Sequence, residues 1–471
     1  MNTAMRRSLP LFSAIAAAAL LSACALAPKL PDAARPLTAE QAGLNAAART
    51  AELKSDWWTA FNDPQLDALV QRALAESPSL AAARARIAKA AAGAEAAGAE
   101  ERPKIELEAD VSRNRFSANG IYPEPLGGNW WTLGNVQLGA SYEWDFFGKH
   151  KAELDAAIGT RAAAEADAAA ARLMLASQVS RAYLSLARLL AQDEILGRQL
   201  AEREQALALT RQRVAAGLDN SQELRGAEQP LPELRRQRLV LREQAQLLRH
   251  QLAQLSVQPI DALKDLAPQL PAPLALQAEG LGIDLLGRRP DVVAARWRVE
   301  AATKKVDSAR AQFYPNVSLS AFAGFNALGL DNLLQLPSRQ FGFGPSIHLP
   351  LFETGALKAQ LHGAAADTDA AVAAYNGALL EAVRDARDQL TTLGSLQGQQ
   401  QEQQASISNA ESTLTLAESR YGAGLTNRLA VLNARDRLLV QQRQALDLRG
   451  QTLDSQVNLM RALGGGWTDA K

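Results

Sequence analysis

The chain has 471 residues, equal numbers of basic and acidic side chains, and one cysteine. The interspersed, balanced charge offers no basic patch for nucleic acid, and a lone cysteine permits no intramolecular disulfide. Stability must therefore come from packing and oligomerisation. A composition rich in Ala, Leu, Gln, Arg and Glu but poor in aromatics points to extended helices rather than a compact enzyme.

At the N-terminus, Arg6 and Arg7 precede an apolar run from Leu9 to Leu21, and Leu21-Ser22-Ala23-Cys24 follows. This is a secretory signal over 1–23 ending in what resembles a bacterial lipobox, with Cys24 as the lipid-bearing mature residue. A plain signal with an incidental cysteine is the alternative. Ala25 rather than Asp follows, which in lipoproteins of the enteric type favours the outer membrane. Residues 24–62 read as an extended segment, with Trp57 and Trp58 as packing anchors, and Asp63-Pro64 is a helix N-cap followed by proline. No later stretch approaches the roughly 20 apolar residues of a membrane helix, so any membrane crossing must use strands.

The chain then says one thing twice. Ala73 to Ser112 and Leu285 to Gly324 share a proline-started helix, a second proline and an alternating segment, with Pro78 matching Pro290 and Pro103 matching Pro315 at one offset. Repeat 1 is assigned to 63–260 and repeat 2 to 281–465, joined by a linker at 261–280. Alternation of apolar and polar residues predicts strands at about 104–115, 135–146, 316–327 and 340–350. Each has about the length of a tilted membrane strand. Four strands cannot close a barrel, and open edges are not tolerated in lipid, so other copies must complete the wall. Barrels start at about 8 strands, which makes a dimer the minimum, while a trimer gives about 12.

Long helices separate the strand pairs. Val179, Ala182, Leu186, Leu189, Asp193, Leu196, Leu200, Leu207 and Val214 keep a coiled-coil rhythm, and Leu429, Leu432, Asp436, Leu439, Arg443, Leu446, Leu453, Val457 and Met460 repeat it. The hairpins turn at about 214–220 and 421–427, where Gly217 and Gly424 supply left-handed caps. Asp219 or Asn220, and Thr426 or Asn427, start the returning helices. Pro230 and Pro232 should kink or split the first of these. Gly464-Gly465-Gly466 and the tail 466–471 read as a flexible end.

Taken together, the lipobox at Cys24, Asp56-Trp57-Trp58, Tyr142-Glu-Trp-Asp-Phe-Phe-Gly148, the two Arg-x-x-x-Gly-Leu tips, Arg288-Arg-Pro-Asp291 with Tyr314-Pro315, and Pro350-Leu-Phe-Glu-Thr-Gly355 resemble the outer membrane factor (TolC-like) family. The similarity is to its lipidated, NodT-type efflux branch. The resemblance implies an α+β membrane protein: a homotrimer with a 12-stranded outer-membrane β-barrel, four strands per chain, continued by a long periplasmic α-helical barrel. It implies a passive exit duct for drugs or other toxic small molecules. The expected partners are a periplasmic adaptor (membrane fusion) protein and an inner-membrane pump of RND or MFS type. The adaptor would meet the tips, here Arg213, Gly217, Leu218, Asp219, Asn220, Arg420, Gly424, Leu425, Thr426 and Asn427. No cofactor is implied beyond covalent diacylglycerol and palmitate on Cys24.

The periplasmic gate positions carried over from the family are Tyr421, Leu429, Asn433 and Asp436. Related proteins often have aspartate at the position of Asn433 and arginine at that of Asp436. Asp436 is a charge on an apolar seam, either gating or paired with an arginine such as Arg435 or Arg213. Glu106, Glu108, Asp110, Glu143 and Asp145 would line the lumen as an acidic belt with a mild cation preference, a merely solvated polar face being the alternative. Tyr142, Trp144 and Phe146 read as an interface girdle, with core packing as the alternative. His150, His250, His348 and His362 are scattered surface or lumen residues without metal-ligand spacing, and no phosphate-cradling loop is present. Catalysis finds no support. A type I protein secretion duct and a lipid-anchored coiled-coil adaptor or spacer are the alternatives.

Overall fold

The structure is a computed structural model and describes residues 28–44, 54–274, 285–350 and 354–468. The signal segment, Cys24 and the last three residues lie outside the described residues. After a short 3-10 turn at Trp57–Phe61 come helices α1 (Pro64–Glu76) and α2 (Pro78–Ala99), then strands β1 (Lys104–Arg115) and β2 (Trp130–Trp144). Helices α3 (Lys149–Ala215), α4 (Ser221–Glu228) and α5 (Pro230–Leu255) complete the first half. A helical turn at Leu285–Arg288 precedes α6 (Pro290–Ala311), strands β3 (Asn316–Leu328) and β4 (Arg339–His348), and helices α7 (Thr354–Gly422) and α8 (Arg428–Ala462). The duplication is visible in three dimensions: α2 and α6 each have 22 residues and each begins with a proline.

The strands form one antiparallel sheet in the order β1-β2-β3-β4. Paired residues share a face, so the register sorts the side chains. One face carries Ile105, Leu107, Ala109 and Val111 with Leu138, Val136, Phe325, Phe341 and Phe343. The other carries Glu106, Glu108 and Asp110 with Gln137, Asn135, Ser141, Ser318 and Gln340. β2 starts five residues before the alternation suggested. Trp131 and Leu133 fall on the polar face and hide the pattern, while Trp130 to Leu133 still pair with Arg115 to Ser112. Phe322 also lies on the polar face, over the backbone of Gly342, where a Cβ would come 2.7 Å from its ring.

The chain divides into two compact units, Met1–Pro36 with Ile87–Ala163 and Ala295–Tyr375, and Leu37–Arg86 with Ala164–Ala294 and Asn376–Lys471. Each unit takes segments from both repeats, so neither repeat is a folding unit by itself. In the first unit the start of α3 meets α6 through small residues. Gly159 faces Ala301 so closely that a Cβ would sit 3.2 Å from the alanine methyl, which explains the alanine richness here. Ser308 Oγ donates to Glu153 at 3.0 Å across the same contact. Ala309, Phe313 and Leu361 form its buried cluster, with Leu30 of the N-terminal segment packed against them.

The core of the second unit gathers Trp57, Trp58, Phe61, Leu66, Val70, Val179, Tyr183, Leu186, Leu252, Leu453 and Val457. Asp63 anchors it: one carboxylate oxygen accepts from the Gln65 and Leu66 amides, and the other accepts from the Tyr183 hydroxyl at 2.7 Å. Burial, with Asp63 alongside, pushes the Tyr183 phenol well above its ordinary range.

One expectation is corrected in this unit. The glycines 464–466 are no loose end; all three have positive φ, and at Gly464 and Gly465 a Cβ would collide with the Arg288 carbonyl and with Leu173. Only glycine fits this packed turn. The first part of the linker is docked: Leu263, Leu266, Leu270 and Leu274 pack on the core, and Gln456 bonds both the amide and the carbonyl of Leu274. The returning helix is split at Pro230 and Pro232 as expected, into α4 and α5, and the break is one residue wide. Gln229 keeps helical angles and its amide still reaches Arg225 O at 3.1 Å, because prolines in the first turn of α5 remove donors that turn does not need.

Candidate functional site

The two hairpin tips are built alike up to the glycine and differently beyond it. At the first, Gly217 (φ 75°) donates to Val214 O, and Leu218 donates to Arg213 O at 2.9 Å. At the second, Gly424 (φ 73°) donates to Tyr421 O, and Leu425 donates to Arg420 O at 2.8 Å. The caps are Asn220, whose Oδ1 accepts from the Gln222 and Glu223 amides, and Asn427, whose Oδ1 accepts from Ala430 N. Asp219 serves instead as a bidentate partner of Arg213 at 2.7 and 2.9 Å. That hydrogen bond holds the Asp219 carboxyl below the usual carboxylate range. Thr426 stands where Asp219 stands in the first tip and cannot hold a cation, and Arg420 is solvent-exposed. Leu218 and Leu425 are both exposed, giving each tip an apolar point.

The four gate positions do not form one group. Tyr421 and Asn433 are exposed, Leu429 is half-buried, and Asp436 is only 4% exposed. Asp436 pairs with Arg203 of α3 and not with Arg435 or Arg213, correcting the sequence expectation. Both expected arginines are occupied: Arg435 bridges Glu202 and Glu418, and Arg213 holds Asp219. The pair joins a row of α3 to α8 links, with Arg188 to Asp447 at 3.4 Å and Arg181 to Asp454 at 2.6 Å. Asp193, on the α3 seam, faces α5 instead and binds Arg238 at 2.9 Å. Burial raises its pKa, but the Arg238 and Arg242 contacts outweigh that and hold it low.

On the polar face of the sheet an amide ladder crosses the strands. Gln137 donates to Glu108 at 2.9 Å, Asn135 donates to Asp110 at 3.1 Å, and Gln340 donates to Asn135 at 3.0 Å. Alternation had flagged the carboxylates but gave no sign of these partners. The five acids of the expected belt differ in their surroundings. Asp145 lies beyond the end of β2, where the chain turns into α3, and accepts from the Lys151 amide. Glu143 is engaged by Lys149 at 3.3 Å and by His150 at 2.8 Å. His150 is buried, contrary to the surface or lumen placement expected. Glu106, Glu108 and Asp110 share the polar face of β1. Tyr142 meets Trp144 edge-on at 5.7 Å, and Trp144 and Phe146 are exposed.

In the second unit, a groove of about 1160 Å³ is lined by Gln237, Gln244, Gln399, Gln403 and Gln444, with charges of both signs at Arg236 and Glu402. Leu196, Val240, Leu241 and Leu448 supply its apolar lining. Among the described residues no His, Cys, Asp and Glu group has the arrangement of a metal site.

The profile of outer membrane efflux proteins matches residues 69–256 and 281–465. The chain belongs to the outer membrane efflux protein family. This efflux-family chain is 33% identical to the multidrug resistance outer membrane protein MdtP of Shigella flexneri, over 98% of its own length and 97% of the relative's. It is 32% identical to the multidrug resistance outer membrane protein MdtQ of Escherichia coli O157:H7, covering 88% of each chain. Among solved structures it resembles the outer membrane protein VceC of Vibrio cholerae, with a TM-score of 0.80 and 36% identity over 88% of this chain and 99% of that one. The fold of sheet and long helices is therefore that of an outer-membrane efflux channel, and the family is one of transport proteins.

Proposed function

We propose that three copies of the chain form the exit duct of a tripartite efflux system, carrying drugs or other toxic small molecules across the outer membrane. One observation carries this reading: β1 and β4 are unpaired at the two edges of a sheet with one apolar and one polar face. Such edges survive in lipid only when neighbouring copies pair with them, and three copies give about 12 strands, a wall wide enough for a polar lumen. An inner-membrane pump of RND or MFS type supplies the energy. A periplasmic adaptor docks at the tips, where exposed Leu218 and Leu425 offer apolar contacts and Arg420 an exposed cation. The named relatives, multidrug resistance outer membrane proteins, support drugs as the cargo.

Closure at the periplasmic end rests on Leu429 as an apolar ring, with Tyr421 and Asn433 exposed beside it. Asp436 acts by locking α8 to α3. Lipid on Cys24 anchors the chain. Leu30, six residues on, packs beside Phe313 just before β3. Purified protein in planar bilayers should conduct and should run as a heat-modifiable trimer. Absence of both would overturn the duct reading. Cells lacking the gene should gain drug sensitivity, and a Cys24→Ala variant should lose labelled palmitate.

A further inference from the structure

The apolar face of the sheet changes character toward its loop end. Along β1 it runs Ile105, Leu107, Ala109 and Val111, then Arg113 and Arg115. Register sets Arg115 opposite Trp130 and Arg113 opposite Thr132. Arg339 opens β4 on the same face, opposite Phe325. All three arginines are exposed, and none has an ion pair or side-chain hydrogen bond among the described residues. The adjoining loops bring two acids, Glu124 and Asp331, and neither is paired with them.

The same loops add apolar surface. Leu330 and Leu333 lie over Gly134 on this face, where a Cβ would come 3.0 Å from each, and Leu334 and Leu336 beyond them are exposed. At the helix end the corresponding positions are Ile105, Trp144, Val317 and Ile347, without a cation. The two ends thus differ in charge while sharing aromatic and aliphatic residues. A guanidinium on a lipid-facing strand costs about 2–4 kcal/mol at mid-bilayer and about 0–1 at the interface, so these side chains belong at headgroup level. There, an unpaired guanidinium matches a phosphate through two parallel hydrogen bonds.

We propose that Arg113, Arg115 and Arg339 form a binding site for the phosphate groups of outer-leaflet lipid, with Trp130, Leu334 and Leu336 seating its apolar part. The inference rests on the outer-membrane channel reading, in which the loop end faces outward. Detergent-purified trimers are mixed with bisphosphorylated lipid A, its dephosphorylated form, or phosphatidylethanolamine, and retained lipid is counted by native mass spectrometry. The wild type should retain the bisphosphorylated form preferentially. Changing all three arginines to Gln should cut retention roughly fivefold per arginine, leaving phosphatidylethanolamine unaffected.

The corresponding triple Lys variant should keep most of the binding. Equal retention by the Gln variant, or equal retention of dephosphorylated lipid by the wild type, would overturn the site. Single-channel conductance of the Gln variant confirms that its barrel has formed. Should the triple variant fail to assemble, Arg115→Gln is read in the same way. Loss of conductance in the wild type would sink the channel reading alone, because lipid retention is measured separately.

Discussion

Asp436 shows how a single charge can sit on an apolar seam. Its carboxylate is buried, Arg203 neutralises it, and its second oxygen has no hydrogen-bond partner among the described residues. Removing only the cation should therefore be worse than removing both. Arg203→Leu should lower thermal stability by about 3 kcal/mol, whereas Arg203→Leu with Asp436→Leu should lie near the wild type. Melting curves of the solubilised protein would check the contrast, and equal losses would contradict it. The oddity of Asp436 was legible in the sequence, but Arg203 as its partner was not. The two are 233 positions apart, and only the packing of α3 on α8 aligns them.

Asp219 gives a pH prediction of opposite sensitivity. Its folded pKa is depressed by Arg213, so the pair's stabilisation is full above the ordinary carboxylate pKa of about 3.9. That stabilisation is lost only as pH falls through the lower, folded value. Amide exchange at Leu218 and Gln222, corrected for its intrinsic rate, should be flat between pH 7 and 5 and faster in Asp219→Asn.

Elements follow the same logic on a longer scale. The strands were readable because apolar and polar residues alternate along most of their length. They were misjudged where Trp131 and Leu133 face the polar side and where the chain leaves β2 at Trp144. The helical hairpins were readable from seam spacing and the two glycine tips, since both signals are local. The C-terminal turn was not, because three consecutive glycines look alike whether loose or packed. Here the close backbone of Arg288 decides. Gly464→Ala forces a side chain into positive φ against that carbonyl and should cost about 3 kcal/mol or more. Reduced yield of folded trimer on gels is the expected result. Tyr183→Phe is a milder test: it strands one Asp63 oxygen and should cost about 1 kcal/mol in a melt.

For the whole molecule, the proposed duct carries its exposed acids as the row Glu106, Glu108 and Asp110, since Glu143 and Asp145 have partners at the start of α3. Replacing the three by Gln, Gln and Asn should move reversal potentials away from cation preference, while an unchanged potential would place selection elsewhere. The unpaired edges of β1 and β4 have a genetic consequence as well. A wall shared among three chains cannot be repaired by the sound ones. When normal and defective copies are made together and mix at random, the yield of intact rings falls as the cube of the normal fraction. Edge-strand alleles of this gene should therefore be dominant over the wild type.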